Sequence, residues 1–214
     1  MPEHTTPADT LLYFGSFNPV HKGHIAIAEA AMARHAAQEI WFVLSPQNPF
    51  KASSGLWPES EREKRLKKAL EPYPAFHLCD AELHLPKPSY TIQTLSFLHQ
   101  EYPGKQFGIL MGEDNLARLH LWKEYEKILS ECDIWVYPRD SRNPAGNADR
   151  LPHAGMQSPG SADAAPHPAD WSAYPAVRQF PDRIHRLDSP LLDISSTLIR
   201  RLADQGKDFS ALVP

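Results

Sequence analysis

Apolar residues in this chain fall into short unbroken runs, and between those runs the apolar positions take helical spacing. Residues 10–15 contain the run Leu11-Leu-Tyr-Phe14, and residues 40–45 read Ile-Trp-Phe-Val-Leu-Ser. Runs this short and without alternation predict strands buried on both faces, as in a parallel sheet. Residues 23–37 lie between them, with Ile25, Ile27, Ala28 and Ala31 among many alanines, and predict a helix. Strand, helix and strand in immediate succession form a βαβ unit, whose crossover is right-handed in nearly all proteins. The alternation then continues. Residues 58–70 predict a charged helix with Pro58 in its first turn. Residues 76–79 predict a strand, and Ser89 or Thr91 is the expected N-cap of a helix running to Tyr102. Strands follow at 107–111, 134–137 and 184–187, with helices at 122–131 and 195–205 and Gly206 as the stop. The pattern predicts an α/β fold with a doubly wound, Rossmann-like, mostly parallel sheet. Ligands of such sheets bind beyond the carboxyl ends of the strands, which directs attention to residues 15–24, 45–51, 112–122 and 138–139.

Composition narrows the function classes. The chain has 214 residues, 22 basic and 26 acidic side chains, a net charge of −4 and 42% hydrophobic residues. One domain of about 100–200 residues with a packed core fits these values, and full disorder does not. Nucleic-acid binders usually carry a basic excess, which is missing here. No run approaches the roughly 18 apolar residues of a membrane span. Glu3, His4 and Asp9 precede only a short apolar stretch, so no secretory signal is expected and the expected location is cytoplasmic. Cys79 and Cys132 have no metal-type spacing and are expected to be buried, reduced thiols. Arg62, Lys64, Arg65, Lys67 and Lys68 read as a solvated helix face. Proline is abnormal, at 21 residues, and residues 138–182 hold 8 of them with 9 alanines and only Leu151, Val177 and Phe180 from the large aliphatic and Phe set. A disordered or loosely packed Pro/Ala-rich insertion at about 140–182 is expected within a single domain spanning 1–214, with His153 and His167 in solvent.

Two segments carry chemistry. Gly15-Ser-Phe-Asn-Pro-Val-His21-Lys-Gly-His24 leaves the first strand and enters the first helix. Its backbone N–H groups meet the positive end of the helix dipole, a natural seat for phosphate, and Gly15 and Gly23 permit close approach. His21 and His24, three apart, can point into one cavity. Near the other end stands Ile194-Ser-Ser-Thr-Leu-Ile-Arg200, while GxxxxGK[ST] and GxGxxG are both missing.

The first segment resembles the HxGH signature of the nucleotidyltransferase superfamily, and the second resembles that superfamily's C-terminal signature. Pro88-Ser-Tyr-Thr91, Gly112-Glu-Asp-Asn-Leu116, His120-Leu-Trp-Lys-Glu-Tyr125, Pro46-Gln-Asn-Pro-Phe-Lys51 and Tyr137-Pro-Arg139 resemble bacterial nicotinate-mononucleotide adenylyltransferases. Asn18 stands where many members have Asp. The resemblance implies a nucleotidyltransferase fold and transfer of AMP from ATP to nicotinate mononucleotide, in NAD biosynthesis. It implies His21, His24 and Arg200 as catalytic residues. It gives Gly15, Ser16, Phe17, Gly112, Asp114 and Ser196, with those three, as ATP contacts. Asn48, Lys51 and Arg139 are implied for the mononucleotide phosphate, Thr91 for the nicotinate carboxylate and Trp122 for stacking on the pyridine ring. Mg²⁺ would arrive with ATP, with no dedicated metal site. The implied partners are the two nucleotides, with no nucleic acid or membrane, and a homo-oligomer stays open. Nicotinamide mononucleotide or phosphopantetheine as acceptor, and a non-catalytic nucleotide-binding regulator, stay open as alternatives.

Overall fold

The computed structural model describes residues 8–46, 56–138, 171–188 and 194–214. Six strands, β1 (Ala8–Gly15), β2 (Ala37–Leu44), β3 (Phe76–Cys79), β4 (Phe107–Gly112), β5 (Ile134–Tyr137) and β6 (Ile184–Arg186), form one sheet in the order β3-β2-β1-β4-β5-β6. Every pairing is parallel. The order reverses between β1 and β4, and their carboxyl ends are where a doubly wound sheet binds ligands.

The unbroken apolar runs have the predicted cause. Leu12 and Phe14 of β1 face one core cluster and Leu11 and Tyr13 face the other. The first cluster takes in Ile92, Leu95 and Leu98 of α4 (Thr91–Glu101) and Ile128 and Leu129 of α6 (Tyr125–Glu131). Ile25, Ala28 and Ala31 of α1 (Lys22–Ala33) and Leu66, Ala69 and Leu70 of α2 (Glu59–Leu70) fill the second. Each buried Leu or Ile contributes about 1.5–3 kcal/mol, so helices on both faces are what this sheet demands. Short helices α3 (Ala81–His84), α5 (Glu113–Leu116) and α7 (Pro175–Gln179) and the longer α8 (Ser196–Asp204) are the remaining α-helices among the described residues. Cys79 and Cys132 are buried and free, and burial pushes their thiols up to about 11 and about 12.

Several expected boundaries move for local reasons. α1 stops at Ala33 because His35 adopts a left-handed φ of 53° before β2 begins. The helix expected from Trp122 starts at Tyr125, since Glu124 has φ 54° and Trp122 itself is extended. The N-cap of α4 is Tyr90, between the two expected residues, and its N–H is taken by Oε1 of Gln93 at 3.2 Å. Gly206, at φ 64°, follows α8 in the left-handed conformation that glycine permits.

Of the expected insertion at 140–182, the structure describes residues 171–182. Residues 171–182 are ordered: Tyr174 and Ala176 are buried, and Trp171, Val177 and Phe180 pack against the same core cluster. A count restricted to aliphatic residues and Phe hides Trp171 and Tyr174, whose large apolar area anchors this return to β6. The expectation for residues 140–170, including His153 and His167, lies outside the described residues.

Candidate active site

The loop after β1 is shaped by close contacts that glycine and an unusual backbone allow. A Cβ on Gly15 would stand 2.8 Å from the Phe17 ring, and Phe17 is buried with φ 42°. A Cβ on Gly23 would meet Nδ1 of His21 at 2.9 Å. Glycine there lets the His21 imidazole lie against the start of α1, which is why HxGH needs its third residue.

His21 is the N-cap of α1, and its N–H donates to Nδ1 of His24 at 3.1 Å, as in a capping box. The two rings stack with centroids 3.7 Å apart, and Phe17 and Tyr13 flank His24 at 5.1 and 6.1 Å. Because Nδ1 of His24 accepts, a neutral His24 carries its proton on Nε2, the arrangement of a donor. The rest of the helix start is electropositive. α1, α4 and α8 have no acidic residue in their first turns, unlike α2, α3 and α5, which carry Glu59, Glu61, Glu82, Glu113 and Asp114. Helix starts without an acidic first turn suit anionic ligands.

α8 brings the C-terminal segment onto the same loop. Ser195 caps it, its Oγ accepting from the Leu198 N–H at 3.2 Å. Ser196 is fully buried and its hydroxyl donates to the Pro19 carbonyl at 3.0 Å. Arg200 donates through Nη1 to the Asn18 carbonyl at 2.7 Å and through Nη2 to Oγ1 of Thr197 at 3.0 Å, while Arg201 faces solvent. Gly15, Ser16, Phe17, His21, His24, Ser196 and Arg200 are therefore one constellation, although 196 and 21 are far apart in sequence.

The other expected residues among those described stand at the end of β4, at the start of α4 and on the approach to α6. Gly112 ends β4 and is the N-cap of α5, and Asp114 is buried within that turn. Thr91 opens α4 and is buried, and Lys123 Nζ sits 4.6 Å from the Tyr90 ring centroid, joining the Ser-Tyr-Thr and Leu-Trp-Lys segments. Trp122 is only 6% exposed, its indole packed in the first core cluster instead of standing open as a platform. Asn48, Lys51 and Arg139 lie outside the described residues.

Sequence reasoning missed three features. The first is Arg62, which the basic run placed in solvent; it is 1% exposed. Its Nη1 donates to the carbonyls of Ser16 at 2.6 Å and Ser45 at 2.9 Å, and its Nε to that of Trp57 at 3.2 Å. Burying a lone cation costs several kcal/mol, which these charge-assisted hydrogen bonds at about 1.5–3 kcal/mol each offset. Spacing held the signal: Arg62 stands with Leu66, Ala69 and Leu70 on the buried face of α2, while Lys64, Lys67 and Lys68 are exposed as expected. The second is Glu113, whose Oε1 accepts from Nε1 of Trp171 at 2.8 Å, tying the return segment to the end of β4.

Glu82 is the third, a buried carboxyl under the first turn of α4. Oγ1 of Thr94 donates to its Oε1 at 3.1 Å. Burial raises its pKa, opposed by hydrogen bonds from Ser45, Thr94 and Ser89. With the folded pKa above the unfolded one, the native state holds a proton that the unfolded chain releases. Stability is lost as pH rises through that window and stays lower above it. Glu82→Gln should therefore unfold at higher temperature than the parent at about pH 8. The gap should close below about pH 4, where the unfolded carboxyl is protonated too. Thermal unfolding at both pH values decides; an equal gap at both would make the effect one of packing.

Known proteins fit this geometry. The cytidylyltransferase-like family matches residues 12–202. A Bacteroides fragilis protein named "Probable nicotinate-nucleotide adenylyltransferase" is 39% identical over 199 residues, 93% of this chain and 84% of its own. Its namesake in Flavobacterium johnsoniae is 37% identical over 203 residues, 95% of this chain and 90% of its own. Among solved structures, Plasmodium falciparum nicotinic acid mononucleotide adenylyltransferase complexed with NaAD superimposes with a TM-score of 0.69. At 18% identity, covering 95% of this chain and 89% of that one, it shares the fold. With a family match over most of its length and relatives above one-third identity, the chain belongs to the cytidylyltransferase-like family, among the nicotinate-nucleotide adenylyltransferases.

Proposed function

We propose that the protein transfers the adenylyl group of ATP to nicotinate mononucleotide, giving nicotinate adenine dinucleotide and pyrophosphate. The observation that carries this reading is the convergence of the stacked His21–His24 pair, Ser196 and Arg200 on one loop at which α1 and α8 start with no acidic residue in their first turns. The acceptor phosphate attacks the α-phosphorus in line and pyrophosphate leaves, with no covalent enzyme intermediate. Catalysis is then positioning and charge stabilisation. Nε2–H of His24, with His21 beside it, donates to oxygens on which charge accumulates. The N–H groups at the start of α8, that of Ser196 among them, and the Arg200 guanidinium hold the β- and γ-phosphates, Gly15, Ser16 and Phe17 shape the loop around the α-phosphate, and Gly112 and Asp114 meet adenosine. Thr91 and the N–H groups at the start of α4 receive the nicotinate carboxylate; stacking of the pyridine ring on Trp122 requires its indole to leave the core cluster in which it is packed. Asn48, Lys51 and Arg139 take the mononucleotide phosphate.

Among the described residues no group of three His, Cys, Asp or Glu side chains is placed to hold a metal ion. Mg²⁺ in this reading is part of the MgATP substrate. No described helix is long and apolar enough to cross a membrane. The reaction is assigned to the cytoplasm.

The test is pyrophosphate release from MgATP with nicotinate mononucleotide, nicotinamide mononucleotide, phosphopantetheine and FMN offered separately. Turnover with nicotinate mononucleotide alone is expected. Preference for another acceptor would keep the histidine-pair chemistry and overturn the substrate. Silence with all four in a protein that binds ATP would favour a regulator.

A further inference from the structure

The buried Arg62 stands at a junction of three segments that border the site. Its three acceptors belong to different segments around the site. Ser16 begins the loop that carries the histidine pair, Ser45 follows the end of β2, and Trp57 precedes α2. Trp57 extends the connection: its N–H donates to Oδ1 of Asn18 at 2.9 Å, and the carbonyl of that same Asn18 receives Arg200. Ser45 N–H in turn donates to the Gly15 carbonyl at 2.9 Å. The guanidinium therefore ties the ends of β1 and β2 together from below, and reaches Arg200 through two residues. Its planar fork matches this task, since Nη1 bridges two carbonyls while Nε serves a third; an ammonium on a flexible stem cannot reproduce that fixed geometry.

We propose that Arg62 is a positioning residue for adenylyl transfer: by holding the Ser16, Ser45 and Trp57 carbonyls it fixes the histidine-bearing loop relative to the carboxyl end of β2, and so the in-line alignment of the two nucleotides. The proposal rests on the adenylyl-transfer reading of the same site. Misalignment by about 1 Å can lower a rate about 100-fold without removing any binding contact, so the signature is a loss in kcat with both KM values nearly kept.

The experiment compares the parent protein with Arg62→Lys and Arg62→Gln as full chains, by steady-state kinetics and by amide hydrogen exchange. Arg62→Lys is expected to lose about 10–100-fold in kcat, with KM for ATP and for nicotinate mononucleotide within about threefold. Arg62→Gln should lose more. Exchange in residues 16–22 and 56–58 should accelerate in both, with β4 and β5 unchanged. A folded Arg62→Lys within about twofold of parental kcat would overturn the proposal. So would a kcat loss accompanied by equal acceleration in β4 and β5, which marks general destabilisation. Should both variants fail to fold, Asn18→Ala cuts the Trp57 link from its other end; the same kcat loss with kept KM values is expected, and a parental rate would overturn the role. If the parent itself does not turn over nicotinate mononucleotide, the substrate assignment fails, and local loop exchange without exchange in β4 and β5 still decides whether Arg62 positions the loop.

Discussion

Replacing His24 by alanine should lower kcat by about 10²–10³, the loss seen when one preorganised donor is taken from an oxyanion-type site. The expectation rests on the way the loop prepares this ring. The His21 N–H occupies Nδ1 of His24 at 3.1 Å, so the proton of the neutral ring resides on Nε2. Stacking on His21 at 3.7 Å and the edges of Phe17 and Tyr13 restrict its rotation. A donor fixed before substrate arrives needs no reorganisation when charge develops on the phosphoryl oxygens. KM for ATP should rise much less, because a ground-state phosphate keeps the helix N-terminus and Arg200. His24 is only partly buried, so its removal leaves the core intact and thermal unfolding should move little. Steady-state kinetics beside a melting curve separates the effects. A rate within about threefold of the parent would take His24 out of the catalytic set, and a rate loss matched by a collapse in stability would make it a loop-packing residue.

The parts of this architecture that were readable in the sequence are those set by local physics. Leu11–Phe14 and 40–45 had to be strands buried on both faces, because no helix spacing or alternation fits them, and the sheet buries them so. The HxGH loop was readable because each of its parts has a local reason, from the close approach at Gly23 to the helix start behind it. What sequence concealed was set by tertiary contact. Arg62 looks like its lysine neighbours until the helix is wound, and its three acceptors come from separate segments. Glu82 stands in a charged-looking stretch, and only folding brings Thr94 over it. Trp171 and Tyr174 were lost in a proline- and alanine-rich background, though their spacing of three residues matches the later Val177 and Phe180. In each case a polar or aromatic side chain acts inside the core, where composition is a poor guide to position.

Arg200→Ala should separate phosphate binding from helix docking. Arg200 has a structural duty, since Nη1 holds the Asn18 carbonyl at 2.7 Å and helps to seat α8. Yet α8 has other anchors: the buried Ser196 hydroxyl on Pro19, and Ile199, fully buried in the interior. Those two keep the helix in place when the guanidinium is lost, so the alanine variant should fold. If the guanidinium also holds the β- and γ-phosphates of ATP, its charge-assisted hydrogen bonds contribute about 1.5–3 kcal/mol each, and losing two corresponds to roughly 10²–10⁴ in affinity. Calorimetric titration should then show ATP binding weakened by at least about 100-fold while AMP, which has no β- or γ-phosphate, changes by less than about threefold. Arg200→Lys should recover part of the ATP affinity through its charge but not the geometry of a planar fork. Equal losses for ATP and AMP would mean that Arg200 acts by holding α8 against the loop. The phosphate role would then fall to Ser196 and the N-terminus of that helix, whose first turn has no acidic residue to oppose it.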